Sequence, residues 1–292
     1  MKWKRDAGLT GRILLTWALL LLVYLVFMGI LMALGLPSGF IVLIAVVMGL
    51  VQYFFSDRLV LMTTGSKIVE YDEAPDLHRM IEKLCTEADL PKPRIAVMHS
   101  PMPNAFATGR SPNHAVVAVT DSIMQTLNRD ELEAVLAHEL SHVKNRDILT
   151  MTVASFVAMI ASMIMNNFLF ASIFSNREQG GAWIIAGIVA AVVWVIATLL
   201  MMALSRYREF AADRGSAYIT NNPDALISAL QKISGRMDRL PPEAKVAAEG
   251  ANAFYIIPAL SGKTLAGLFS THPALEKRIE NLEKVRAEIR GY

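Results

Sequence analysis

Two histidines four residues apart, in the segment His138-Glu-Leu-Ser-His142, have the spacing in this sequence best suited to metal chemistry. On a helix this spacing places both imidazoles on one face, one turn apart, where they can share one ion. Glu139 then points about a third of a turn away, which suits a base acting on the attacking water rather than a third ligand. Zinc lowers the pKa of water towards about 7, so the pattern predicts hydrolysis at neutral pH.

Three other interpretations of this motif are weaker. The chain has only six histidines, and we put the chance of an accidental H-E-x-x-H pattern below roughly one in a hundred. A structural zinc site is normally closed by four protein ligands, often cysteines, whereas this chain has the single cysteine Cys85. A metzincin would need a glycine and a further histidine where the chain has Asn145 and Ile148.

The best candidate for a third ligand is Glu209, in the segment Arg208-Glu-Phe-Ala-Ala-Asp213. The histidine-bearing helix ends where one apolar segment begins, and Glu209 follows the end of the next, so two antiparallel crossings would bring Glu209 back to the motif. Asp213, on the same face as Glu209, either hydrogen-bonds the outer nitrogen of a ligand histidine or forms an ordinary salt bridge. For Asp147 we favour the salt bridge.

The elements that must position these residues include four apolar segments. The chain is 54% hydrophobic and 18% charged, against about 25% charged in soluble domains. Four segments are long enough, the second only just, to cross about 30 Å of hydrocarbon as helices, namely 13–36, 39–55, 148–174 and 182–204. The first is too long for a signal peptide, and no small-residue cleavage site follows it.

Lysine and arginine are concentrated in the two long polar segments, 56–147 and 205–292, and before the first span. The loop after the third span offers only Arg177 against Glu178. The positive-inside rule therefore predicts that both termini and both polar segments are cytoplasmic. The net charge of only +2 gives no reason to expect a nucleic-acid partner.

The expected fold is a multi-pass α-helical membrane protein with four spans and a cytosolic, mainly helical α+β zincin domain. Residues 1–55 form two transmembrane helices, 56–147 the first half of the protease domain, 148–204 two more transmembrane helices, and 205–292 the second half. Asn128 with Glu131 three residues later predicts the start of the histidine-bearing helix. Strands are expected at 94–99 and 115–120, and helices at 76–88, 223–233 and 273–289.

The ordered motifs resemble the bacterial heat-shock membrane zinc metalloproteases, in the peptidase family that also contains the CAAX prenyl proteases. The resemblance covers the whole chain and includes two further segments, Pro103-Asn-Ala-Phe-Ala-Thr-Gly109 and Thr271-His-Pro273, with Arg278, Ile279 and Leu282 beyond. It implies one Zn²⁺ per chain, the inner (plasma) membrane with its lipid bilayer, and unfolded or damaged membrane proteins as polypeptide substrates in quality control.

The resemblance also implies three roles for residues. Glu209 is the third zinc ligand. The segment Asn104, Ala105 and Phe106 edges the cleft and pairs with an extended substrate. His272 donates to the oxyanion of the tetrahedral intermediate; from the residues alone, a histidine before a proline is more often a helix-entry residue.

Three rival functions remain for comparison. An intramembrane protease would hold the H-E-x-x-H motif inside a span, whereas charged residues surround it here. A metal transporter should carry ionisable residues inside its spans, and these spans offer only one glutamine and two asparagines as strongly polar residues. A catalytically silent metal-binding scaffold would not need Glu139, which is intact.

Overall fold

The computed structural model describes residues 6–35, 38–174, 177–239 and 272–291. The helices are α1 Ala7–Ala33, α2 Ser38–Thr64, α3 Pro75–Ala88, α4 Asp121–Thr126, α5 Arg129–Lys144, α6 Asp147–Phe174, α7 Arg177–Thr220, α8 Pro223–Asp238 and α9 Leu275–Arg290. The strands are β1 Lys67–Ile68, β2 Arg94–Met98, β3 Ala105–Thr108 and β4 Val116–Thr120. Most of the segment 236–262, which shows no clear sequence period, lies outside the described residues.

The chain forms two compact units. One contains residues 7–53 and 150–204, and the other contains residues 1–6, 54–149 and 205–292. The first unit is made of apolar helices, and the second holds the sheet, the shorter helices and all the predicted site residues.

The apolar unit has a small core and a large apolar surface. Its core combines large residues of α1, such as Phe27 and Leu31, with small residues of α6 and α7, such as Ala161 and Ala190. Small side chains let helices approach closely, as in membrane bundles. Many large apolar side chains point outward, as lipid-facing residues do, among them Leu14, Leu21, Leu25, Ile188 and Val192.

Within the described residues, three helices are long and apolar enough to cross a membrane, and α2 is a fourth if its parts on either side of residue 56 count as one span. The protein is therefore a multi-pass membrane protein. α7 departs from the expected bounds, since its 44 residues run through Leu204, where the sequence suggested a span end, to Thr220. Charges at positions 206–209 change the polarity of the surface but do not interrupt the helix, because no proline lies between Arg177 and Pro223.

The second unit is built on a four-stranded sheet with the order β1-β2-β4-β3. β2 and β4 are parallel, and the two outer pairs are antiparallel. α5 packs against α3, α8 and β3, and its apolar face joins one core through Val135, Leu136 and Leu140. The histidine-bearing helix is therefore held by core packing on several sides.

β3 is the edge strand on the side of α5, and its register fixes which backbone groups face outward. Thr120 N–H donates to Asn104 C=O at 2.9 Å, and Phe106 lies opposite Ala118. In an antiparallel pair such residues bond to the partner strand, so the alternate residues point their N–H and C=O groups the other way. Ala105 and Ala107 therefore direct their backbone polar groups away from β4.

Candidate metal centre

α5 begins with the capping box that the sequence predicts. Asn128 Oδ1 accepts from Glu131 N–H, and Glu131 Oε2 accepts from Asn128 N–H, both at 2.9 Å. Glu131 also accepts from Ser228 and Lys232 of α8. These bonds fix the start of α5 and hence the rotation of its histidines two turns later.

α7 runs beside α5 and brings Glu209 to the histidines. Ser216 Oγ donates to Ala134 C=O at 2.6 Å, and Ala217 is buried in the same core as Ala134. This contact joins the polar end of α7 to α5 and places Glu209, two turns earlier in α7, beside the H-E-x-x-H motif.

Atoms of His138, His142 and Glu209 converge within 4.8 Å of one another. The two Nε2 atoms lie 3.1 Å apart. Glu209 Oε1 lies 3.4 Å from His142 Nε2, and Glu209 Oε2 lies 3.6 Å from His138 Nε2. A tetrahedral zinc ion with bonds of about 2.0–2.1 Å needs ligand atoms about 3.3–3.4 Å apart. The three distances bracket that value, so these residues fit a zinc ion.

The charge of this cluster also fits a divalent cation. The cluster contains the four carboxylates of Glu139, Asp147, Glu209 and Asp213 and the two guanidinium groups of Arg208 and Arg278. Its formal charge is therefore −2 when the histidines are neutral. A buried net charge of that size is costly unless it is neutralised. Glu209 Oε2 is buried and accepts no well-formed hydrogen bond from the described residues, as expected of an atom that binds a cation.

The pKa values of His138 and His142 are both raised by the negative charge around them. Burial lowers the pKa of His142, but Asp147 and Glu209 outweigh it and raise the value to about 10. Burial also opposes protonation of His138, and Asp213 and Glu209 raise its pKa. The cluster therefore attracts positive charge strongly at this position.

Each ligand histidine has an aspartate on its other ring nitrogen. His138 Nδ1 lies 3.0 Å from Asp213 Oδ1, and His142 Nδ1 lies 2.6 Å from Asp147 Oδ2. Such partners fix the tautomer and orientation of a metal-binding imidazole. For Asp213 the structure shows both of the alternatives, since it contacts His138 and also forms a salt bridge with Arg278.

The salt bridge that we favoured for Asp147 is only part of its role. It does pair with Arg208 at 2.8 Å, but it also contacts His142, which the sequence interpretation missed. Five residues along a continuous helix would separate the two side chains by about 140°. The chain instead breaks between α5 and α6 at Asn145 and Arg146, where Arg146 takes φ 54°, and this turn brings Asp147 back to His142.

Glu139 is buried, with 5% of its surface exposed, on the side of α5 that faces β3. Its carboxylate accepts from the backbone N–H of Ala107. Burial raises the pKa of Glu139, although His138 and His142 oppose the rise. A carboxylate with a raised pKa beside a metal site has the properties of a general base.

The other predicted residues also lie at or near this centre. His272 is buried just before α9, and its Nδ1 atom lies 3.2 Å from Glu209 Oε2. Ala105 and Phe106 are the first residues of β3, and Asn104 precedes them, with its N–H donating to Thr120 Oγ1. α9 begins at Leu275 rather than at Pro273, so His272 and Pro273 belong to the turn that enters the helix.

Comparisons with known proteins agree with this geometry. The model of peptidase family M48 matches residues 72–286. A protein named Protease HtpX homolog 2 from Methanosarcina acetivorans is 54% identical over 291 residues, which are 99% of each chain. Protease HtpX homolog from Moorella thermoacetica is 51% identical over 97% of this chain and 96% of its own length. These similarities confirm the family resemblance inferred from the motifs.

The fold is also similar to that of a solved structure. The crystal structure of S. mikatae Ste24p superposes with a TM-score of 0.56 at 18% identity, over 92% of this chain and 64% of the other. At that identity the similarity concerns the arrangement of the helices and the sheet. The matched 92% of the chain therefore follows a known fold.

Proposed function

Since this chain belongs to peptidase family M48, we propose that it is a zinc-dependent membrane endopeptidase that cleaves unfolded or damaged membrane proteins from the cytoplasmic side. Its close homologues imply a membrane metalloprotease, and its helices imply a lipid bilayer around it. The observation that supports the zinc chemistry most strongly is the convergence of His138, His142 and Glu209 beside the buried Glu139.

In this proposal His138, His142 and Glu209 hold the ion. Bound zinc would polarise the scissile carbonyl and lower the pKa of water towards about 7. The three ligands leave one position open, which distinguishes a catalytic zinc site from a structural one. Asp213 and Asp147 keep the two imidazoles in the tautomer that presents Nε2 to the centre.

Glu139 is the general base. Its carboxylate removes a proton from the attacking water and delivers it to the leaving amine, so it acts twice in one turnover. The hydrogen bond from Ala107 N–H orients the carboxylate towards the substrate side of α5. Because this donor is a backbone group, the orientation does not depend on a mobile side chain.

β3 provides a backbone template for the substrate. Ala105 directs its N–H and C=O groups away from β4, and Ala107 directs its C=O group the same way while its N–H faces Glu139, so an extended polypeptide beside residues 104–106 can add to the sheet as a further strand. Since Ala107 also contacts Glu139, a peptide paired at this edge would have its backbone next to the base. His272, adjacent to Glu209, would donate to the oxyanion as the tetrahedral intermediate forms.

The sidedness and the substrate class rest on the charge pattern and on the homologues. Lysine and arginine in the segments 56–147 and 205–292 favour the cytoplasmic face of the plasma (inner) membrane. The HtpX name of the homologues, together with the resemblance to heat-shock proteases, supports a role in quality control of misfolded membrane proteins.

Hydrolysis of an unfolded protein by the full chain in detergent tests this proposal directly. Purified protein should degrade casein, stop when a zinc chelator is added, and resume when zinc is restored in slight excess. Metal analysis should find about one zinc per chain. Degradation that persists after complete removal of the metal would refute the zinc mechanism, and bound zinc without degradation would favour a silent metal-binding scaffold.

A further inference from the structure

An arginine binds each of the two aspartates that orient the ligand histidines. Arg278 of α9 donates from Nε to Asp213 Oδ2 at 2.9 Å and from Nη2 to Asp213 Oδ1 at 2.5 Å. Its Nη1 atom lies 3.6 Å from Glu209 Oε2, and only 1% of the residue is exposed. The guanidinium group thus holds both oxygens of Asp213 and also faces the third ligand.

Arg208, which binds Asp147 beside His142, makes a simpler contact than Arg278 does. Arg208 Nε lies 2.8 Å from Asp147 Oδ1, and Asp147 uses its other oxygen for His142. Among the described residues the pair is a one-point contact, from a single nitrogen to a single oxygen. A lysine could supply much of that interaction, whereas it could not reproduce the two-point contact of Arg278 with Asp213.

We propose that Arg278 is a positioning residue for the zinc centre, which acts on His138 through Asp213 and makes docking of α9 a condition for full zinc affinity. The inference rests on the proposed zinc function. Asp213 Oδ1 is shared between His138 Nδ1 and Arg278 Nη2, so a displaced guanidinium group leaves the carboxylate free to rotate away from the imidazole. The ring of His138 then loses its fixed tautomer and direction.

If Arg278 acted only through its charge, its removal would change zinc affinity in the opposite direction, and this makes the proposal testable. A fixed positive charge near Glu209 repels a cation, so removal of Arg278 should tighten zinc binding if the residue contributed only an electric field. Loss of positioning should instead weaken binding, by about 10–100-fold for an outer partner of a metal ligand. The direction of the change in zinc affinity therefore separates the two roles.

Arg214 supplies a matched control for the docking of α9. It is also a buried arginine of the α7–α9 contact, and its Nη2 atom lies 2.6 Å from Glu288 Oε2 of α9. It also donates to Tyr218, and the described residues show no contact between it and the three zinc ligands. Arg214→Gln should loosen the docking of α9 without removing a contact to Asp213.

The experiment measures zinc affinity of the full chain in detergent by competition with a chromophoric chelator, together with melting temperature. Arg278→Gln and Arg278→Lys should both lose about 10–100-fold in zinc affinity, whereas Arg208→Lys should lose less. Arg214→Gln should lower the melting temperature and leave zinc affinity unchanged. Arg278→Lys keeps the buried positive charge, so it is the variant to use if Arg278→Gln does not fold.

Combining Arg278→Lys with Asp213→Asn tests the proposed route through Asp213. If Arg278 acts through that carboxylate, the double variant should bind zinc about as weakly as Asp213→Asn alone. Fully additive losses, wild-type affinity in Arg278→Lys, tighter binding in Arg278→Gln, or an equal loss in Arg214→Gln would each overturn the inference. Failure of the wild-type chain to bind zinc would instead refute the proposed function itself.

Discussion

Replacing Glu139 by glutamine should separate catalysis from metal binding. Glutamine has nearly the same shape, and its amide oxygen can still accept from Ala107 N–H, so β3 and α5 should keep their contact. The amide cannot take a proton from water. Loss of a general base costs about 10²–10⁴-fold in rate, which corresponds to roughly 2.7–5.4 kcal/mol in the barrier.

The same substitution should not reduce zinc content or stability. Glu139 is not among the three residues whose ligand atoms converge. In metal-free protein the change removes a carboxylate whose charged form is disfavoured mainly by burial, so it should not cost stability. We therefore expect lower activity together with an equal or higher melting temperature of the chelated protein.

The assay for this prediction is the degradation rate of fluorescein-labelled casein per zinc-loaded molecule, with zinc content measured on the same preparation. Glu133→Gln is a suitable control, since it changes a carboxylate of the same helix that pairs with Lys83 at 2.5 Å. It should retain activity within about twofold, because a partly exposed ion pair contributes little. A zinc-loaded Glu139→Gln protein with near-normal turnover would remove Glu139 from the mechanism.

Three other predictions concern the ligands, the topology and His272. Alanine at any one of the proposed ligands His138, His142 and Glu209 should sharply reduce the bound zinc measured by elemental analysis. Full zinc stoichiometry with normal affinity in Glu209→Ala would disprove the assignment of Glu209 as the third ligand. Reporter fusions after Phe55 and after Tyr292 should give a cytoplasmic signal, and a fusion near Gln179 should give an external one. A cytoplasmic signal near Gln179 would refute the hairpin topology. His272→Ala should lower kcat by about 10²–10³-fold at unchanged zinc content, whereas a destabilised variant with normal kcat per folded, zinc-loaded molecule would reduce His272 to a helix-entry residue.

The sequence predicted those features that depend on residues close together in the chain. The capping box at Asn128 and the apolar face of α5 both follow from spacing within one helix, and the structure confirms them. Strands β2 and β4 were recognisable as short apolar runs between turns. The candidate ligands His138 and His142 could also be identified from the sequence, because a spacing of four residues in a helix leaves few alternatives for two histidines.

Residues that reach the site only because the chain turns sharply, or because distant parts of the chain pack together, were harder to predict. Asp147 reaches His142 only because the chain turns at Arg146 with a positive φ, and arginine gives no sign of that conformation. Arg278 reaches Asp213 across 65 residues of sequence, and it entered only as part of a family pattern. The length of α7 was underestimated because a change from apolar to charged residues resembles a helix end when only hydropathy is considered.

The outward-facing backbone of β3 has a consequence for which polypeptides could be processed. A strand that offers mainly N–H and C=O groups discriminates little between side chains, but it requires a partner whose own backbone groups are unpaired over several residues. In a folded protein those groups are already engaged in helices and sheets. The edge at Ala105 and Ala107 would therefore select its substrates by conformational state rather than by sequence, and folded neighbours in the same membrane would be spared.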